Sequence, residues 1–188
     1  RNLLKAFLQD ANKKRYNSWD QLIHYCNNSA SPVGRFVVNL HMEQEKNSSA
    51  LMKKIYLGCD DLCNSLQILN HIQDCKKDFL KLDRVYIPGI YFKEENLNIS
   101  EMLEEKNRDK ILRILSKCLF KVENLLDDSR QNIKLIKDNG LRKETFVIFN
   151  IAKKLTELLK KEDPIKKKVK LSRIDLIFCF FKGIIGRL

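Results

Sequence analysis

Four polar side chains, Gln67, Asn70, Asp74 and Asp78, recur at i, i+3, i+7 and i+11 within a largely apolar run. On an α-helix that spacing places all four on one stripe. Two carboxylates one turn apart repel each other unless a cation lies between them. Hard oxygen donors on one face suit Mg2+, which keeps several waters and takes one or two carboxylates together with substrate phosphates. The plain alternative is an exposed pair of aspartates answered by Lys77 or Lys81, and a bare Asp-x-x-x-Asp would favour it. Gln67 and Asn70 on the same stripe, the apolar flanks, and Asp83-Arg84-Val85-Tyr86-Ile87-Pro88 immediately afterwards weigh toward a cation site.

Such a stripe needs a long helix to carry it. From about Ser49 to Phe79 there is no proline and the only glycine is Gly58, while Leu51, Ile55, Leu62, Leu66, Leu69 and Ile72 step by threes and fours. The spacing predicts one long, largely buried helix, broken over Leu80 to Pro88. Leu3, Leu4, Phe7, Leu8 and Ala11 predict the tail of a helix before it, and Ser18-Trp19-Asp20-Gln21 reads as a capping box opening a helix to about Asn27. Pro32 suits the first turn of another, reaching about Met42, and Glu43 to Ser49 reads as a polar loop. Further helices are predicted at about Ser100–Glu105, Asp109–Asp138, Arg142–Lys161 and Ser172–Ile185, with Pro164 marking a boundary. The 188 residues read as a single all-α domain, a helical bundle with no sheet.

Composition agrees. Only 6 Gly and 3 Pro leave too little punctuation for an all-β fold. The six cysteines form no Cys-x-x-Cys pair and fit neither a zinc site nor a disulfide framework, so buried, reduced thiols in a cytoplasmic setting are expected. The formal charge of +12 suits an anionic partner. No arginine-rich helix with interleaved aromatics, RNA-recognition signature or zinc finger is present, and no nucleic-acid partner is expected. The last helix is rich in Ile, Leu and Phe but too short to span a bilayer, which needs roughly 20 apolar residues. With the lysines before it, peripheral contact with an acidic membrane and packing in the core both stand open.

A second cluster lies upstream, where Tyr25-Cys26 is followed by Ala30-Ser31-Pro32-Val33-Gly34-Arg35. Tyr-Cys ahead of Ala-x-x-Val-Gly, then Leu-Gln-x-x-Asn-x-x-x-Asp-x-x-x-Asp, a basic loop and Arg-x-Tyr-x-Pro, resembles the squalene/phytoene synthase family. The order and separation of the motifs match over nearly the whole chain. The Ser-Pro-Val-Gly-Arg-Phe and Asn-His-x-Gln-Asp-Cys forms are most similar to the bacterial hopanoid-pathway branch, which makes hydroxysqualene from presqualene diphosphate.

The resemblance implies an isoprenoid-synthase bundle around a central apolar cavity. It also implies a prenyl diphosphate substrate, farnesyl or presqualene diphosphate among them, and Mg2+ held by Asp74 and Asp78 with Asn70 nearby. Gln67 and Arg84 would contact the diphosphate, with Arg35 a further candidate, and Tyr25 would lie near the carbocation left when diphosphate departs. The family also carries a first aspartate-rich motif on an earlier helix. Nothing between Arg1 and Asp20 reproduces it, so the chain reads as the C-terminal two-thirds of such a domain and is expected to be inactive by itself. A competing reading keeps the fold and drops the chemistry, since some family members are non-catalytic assembly factors. Retention of Asp74 and Asp78 argues against it.

Overall fold

Helix starts follow from local side-chain chemistry. Ser18 accepts the Gln21 N–H at 3.3 Å, while Gln21 Oε1 accepts from the Asn17 N–H at 3.0 Å rather than from Ser18 itself. The capping box is therefore displaced by one residue on its return arm. At the other end of the chain Ser172 and Asp175 complete a full box, with both backbone donors satisfied. The computed structural model describes residues 1–42 and 49–188; the loop expected at Glu43 to Ser49 falls outside them except for Ser49, which opens a helix.

Nine α-helices follow in the described residues: α1 (Asn2–Asn12), α2 (Trp19–Ser29), α3 (Ser31–Met42), α4 (Ser49–Gln73), α5 (Cys75–Leu82), α6 (Gly89–Glu94), α7 (Arg108–Ile133), α8 (Asn139–Lys161) and α9 (Arg173–Ile184). Extended pairing among them is limited to one isolated bridge, Arg15 with Val85. Two expectations are corrected, and one helix lies where none was predicted. The helix sought at Ser100–Glu105 is instead two single 3-10 turns, Ile99–Glu101 and Glu105–Asn107. Helix α6, begun immediately after Pro88, was not legible as a helix. The long helix of the polar stripe is also interrupted: α4 stops at Gln73 and α5 starts at Cys75, with Asp74 at φ −100° and ψ 6° between them. Aspartate leaves the helical well easily because its short side chain competes with the backbone. The turn survives through backbone bonds from Asp74 N–H to Asn70 O (2.9 Å) and from Asp78 N–H to Asp74 O (2.8 Å).

Helix α4 is the axle of the bundle, packing on α7, α3, α8 and α2. Its Ile55, Leu62, Ile68, Leu69 and Ile72 are buried with Ile111, Ile114, Leu119 and Val122 of α7. The closest approach is at Gly58. A Cβ there would stand 2.5 Å from the Asn132 Cβ, and the Gly58 carbonyl accepts from Ser129 Oγ at 2.7 Å. The cysteines are as expected: no disulfide forms, and all but the half-buried Cys63 are buried.

A second fastening matters more for the site. Residues 13–17 lie alongside residues 83–90, with Val85 N–H donating to Lys14 O, Gly89 N–H to Tyr16 O and Ile90 N–H to Asn17 O at 2.7–3.0 Å. Asp83 closes α5 in the left-handed region at φ 48°, which aspartate adopts more readily than most residues other than glycine. Lys14 and Arg15 both pair with its carboxylate.

Gly58→Val should lower stability by about 2 kcal/mol, the usual order for forcing methyl groups into a filled contact. Urea unfolding followed by circular dichroism checks it, and an unchanged midpoint would mean that α4 and α7 can part there freely.

Candidate active site

The fastened loops bring α1 and the α5–α6 connection onto the inner face of α2 and α4. Asp10 of α1 is the meeting point. Its carboxyl group accepts the Tyr25 hydroxyl at 2.8 Å and the Tyr86 hydroxyl at 2.9 Å. Arg84 donates to the Tyr86 hydroxyl at 3.1 Å and to the Asp10 main-chain oxygen, and lies 3.7 Å from the Asp10 carboxyl. Four rings interlock beneath: Tyr16 on Tyr86 (5.3 Å), Tyr25 on Tyr86 (5.3 Å), Tyr16 on Tyr25 (5.5 Å), and His71 stacked on Tyr86 at 3.5 Å and 15°. Burial raises the proton affinity of all three phenols, Tyr86 to about 12 and the other two further. All three remain neutral; Tyr25 and Tyr86 donate to Asp10, while the Tyr16 hydroxyl accepts from Gln9.

His71 belongs to the polar stripe, and a ring nitrogen lies 3.3 Å from Gln67 Nε2. Burial pushes its pKa down to about 3, with Arg84 adding to the effect and Asp74 opposing it. The ring is therefore uncharged, and as an acceptor from Gln67 it has its unprotonated nitrogen on that side. Asn70, next to His71 and one turn after Gln67, is exposed.

Asp74 and Asp78 are half-buried. Asp74 is paired with Lys168 at 3.0 Å, and the neighbouring Gln73 donates to Val169 O at 2.6 Å. The stretch after Pro164 is thus strapped across the junction of α4 and α5. A cavity of about 340 Å³ opens there between Asp74, Leu80, Lys77 and Lys168. The Asp78 carboxyl is held above the usual range by burial first and by the charge of Asp74 second, with Lys77 and Arg84 opposing.

Arg35 is drawn elsewhere. It forks onto Asp60, with Nε 2.9 Å from Oδ1. Both line a larger cavity, about 880 Å³, whose wall mixes Trp19, Ile23, Phe36 and Leu57 with Asn27, Ser31 and Asn64. The last three are joined by bonds of 2.8–3.5 Å. Asp61 on the same wall has its pKa pushed up to about 6 by burial, then by Asp128 and Asp60.

Of the residues singled out in the sequence, Tyr25, Gln67, Asp74, Asp78 and Arg84 belong to one connected neighbourhood, Asn70 lies on its exposed rim, and Arg35 is held apart by Asp60. Asp10, Tyr16, His71, Tyr86 and Lys168 were missed. Tyr86 and His71 sit inside motifs that were noted without a role for them. Asp10 and Lys168 carry no local signal, because only tertiary contact brings them to positions 86 and 74.

A bundle of this kind, with a carboxylate-bearing stripe beside buried phenols, has the all-α isoprenoid-synthase fold. A squalene synthase from Alicyclobacillus acidocaldarius superposes with a TM-score of 0.74 at 23% identity, covering 85% of this chain and 57% of that one. A dehydrosqualene synthase in complex with ligand gives 0.80 at 18% identity, over 97% and 62%. The family description squalene/phytoene synthase matches residues 1–175, and the chain belongs to that family. A hydroxysqualene synthase from Sinorhizobium fredii is 40% identical over 94% of this chain, which spans 58% of that relative's length.

The neutral His71 has a measurable consequence. Its folded pKa lies below its unfolded value, so the unfolded state binds the extra proton and acid costs stability between the two. On going from about pH 7 to about pH 5, the protein should lose about 2 kcal/mol more than its His71→Gln variant, from an unfolded histidine pKa of about 6.5. Parallel urea titrations measure the difference. Asp61, with the opposite shift, is common to both proteins and cancels.

Proposed function

We propose that the protein carrying this chain is a magnesium-dependent isoprenoid synthase. It would ionise a prenyl diphosphate, such as farnesyl or presqualene diphosphate, and guide the resulting carbocation. The observation that carries the reading is the pair of half-buried carboxylates, Asp74 and Asp78, at the edge of a buried aromatic cluster, with Lys168 ion-paired to Asp74 and the charge of Arg84 acting on Asp78. Membership of a synthase family and hydroxysqualene synthases as relatives support it.

The two carboxylates fit a divalent cation. They are hard oxygen donors, and the raised proton affinity of Asp78 comes partly from Asp74, a repulsion such an ion relieves. Magnesium held by Asp74 and Asp78, with Asn70 beside them, would neutralise charge on the departing diphosphate. Arg84 presents a fixed guanidinium, and Lys168, exposed along its stem, can exchange Asp74 for a phosphate oxygen. Gln67 is a neutral donor whose orientation His71 fixes. Arg35 would reach an anion in the larger cavity only by giving up Asp60. Tyr25 and Asp10 form a dyad in which a neutral phenol donates to a carboxyl group, able to hold or pass a proton beside a carbocation. The larger cavity is of a size that takes one small organic ligand.

The finer assignment, hydroxysqualene formation with a water captured at the end, rests on relatives 33–40% identical. The assembly-factor alternative does not explain why both carboxylates stand together beside Lys168.

With the full-length protein, presqualene or farnesyl diphosphate and Mg2+ should release pyrophosphate. Asp74→Asn or Asp78→Asn should lower the rate by about 100-fold or more while leaving the unfolding midpoint nearly unchanged, in line with loss of a charge-stabilising group. Unaltered turnover in both variants would sink the assignment. If the family's first aspartate-rich motif also contributes to the cation site, the 188 residues tested alone should release none. Turnover by these residues would show that Asp74 and Asp78 suffice.

A further inference from the structure

Helix α9 is built to face outward. Of its twelve residues only Cys179 and Gly183 are buried. They lie four residues apart on one edge, which rests on α8: a Cβ at Gly183 would stand 2.5 Å from the Val147 N, and Cys179 Sγ lies 3.4 Å from Asn150 O. The placement is firm. Lys154 pairs with Asp175 at 3.3 Å, Asn150 donates to Arg187 O at 2.8 Å and Arg130 to Leu188 O at 2.9 Å. The opposite face is therefore held exposed, and it is apolar: Ile174 is 79% exposed, Phe178 67%, Ile185 62%, Phe181 61% and Ile177 57%.

Charge identifies what would cover it. Residues 166–188 carry Lys166, Lys167, Lys168, Lys170, Arg173, Lys182 and Arg187 against one acidic residue, Asp175, so 7 − 1 gives +6. Asp175 is turned inward, bonded to Ser172 and Lys154. A second copy of this face would bring two such charges together, which disfavours self-pairing. An anionic lipid surface satisfies both features at once, taking Phe and Ile below the headgroups and the basic side chains among them. No helix of the described residues is long and apolar enough to cross a membrane, so the contact would lie in the interface plane.

We propose that α9, with the basic stretch 166–170 leading into it, is a membrane-docking element that rests on an anionic bilayer. Its position ties docking to the carboxylate neighbourhood. Lys168 touches Asp74, and Arg173 lies five positions further on, an extended reach of at most about 18 Å. A lipid-soluble prenyl chain held in that bilayer would thus lie close to the diphosphate end of the site. The docking itself stands on α9 alone and does not require the enzymatic reading.

Flotation of the full-length protein with phosphatidylcholine vesicles, with and without phosphatidylglycerol, tests it. Binding should require the anionic lipid and weaken with salt. Phe178→Ser/Phe181→Ser should reduce the bound fraction by about tenfold or more, as loss of two inserted rings implies. Both rings are exposed, so the circular dichroism spectrum should not change. Lys166→Glu/Lys167→Glu should weaken binding to anionic vesicles. Failure of the unaltered protein to float with phosphatidylglycerol vesicles would overturn the proposal. So would equal flotation of the Phe variant, or a dimer in gel filtration that this variant dissolves.

Discussion

Everything in the site depends on one carboxyl group being shared. Asp10 accepts two phenols from different parts of the chain, Tyr25 on α2 and Tyr86 after α5, while Arg84 closes over its main-chain oxygen. None of these groups could be buried alone, since an unpaired polar atom away from water is costly. Together they satisfy one another, and each fixes the others' orientation. The ladder between residues 13–17 and 83–90 sets the distance, and the rings fill the space beneath. Remove the shared acceptor and two buried hydroxyls lose the group they donate to at once.

His71 extends this constraint into α4. A histidine stacked on Tyr86 and kept uncharged is a rigid spacer, and its contact with Gln67 orders the polar stripe from within. The stripe is therefore coupled to α1 and α2 through aromatic packing as well as through helix geometry. That coupling explains how α4 can be solvent-accessible on one side and still hold its polar stripe in place up to Asp74.

Much of this was legible in the chain. Periodicity gave the all-α bundle and most helix bounds, because apolar steps of three and four have one structural meaning when glycine and proline are scarce. The Gln67–Asp78 stripe was visible because helix geometry maps sequence spacing directly to a face. Three things were not. The break at Asp74 depends on a local preference that tertiary bonds from residues 168 and 169 reinforce, and those bonds span nearly a hundred positions. Asp10 was missed, since its partners lie 15 and 76 residues away and no spacing rule links them. Arg35 sat in a convincing motif, yet its partner is Asp60, a carboxylate on a helix whose inward face reads as apolar.

The joint at Asp74 separates two rods that would otherwise be one. A pair of carboxylates on a continuous helix has its spacing dictated by helical pitch, and no remote group could adjust it. Here Asp78 rides on α5 while Gln67 and His71 ride on α4, with the bend between them clamped from outside by Lys168 and the Val169 carbonyl. The relative placement of the two acids is thereby controlled by a segment far away in the chain, and on the proposed reading substitutions in that strap would tune metal preference while leaving both carboxylates in place.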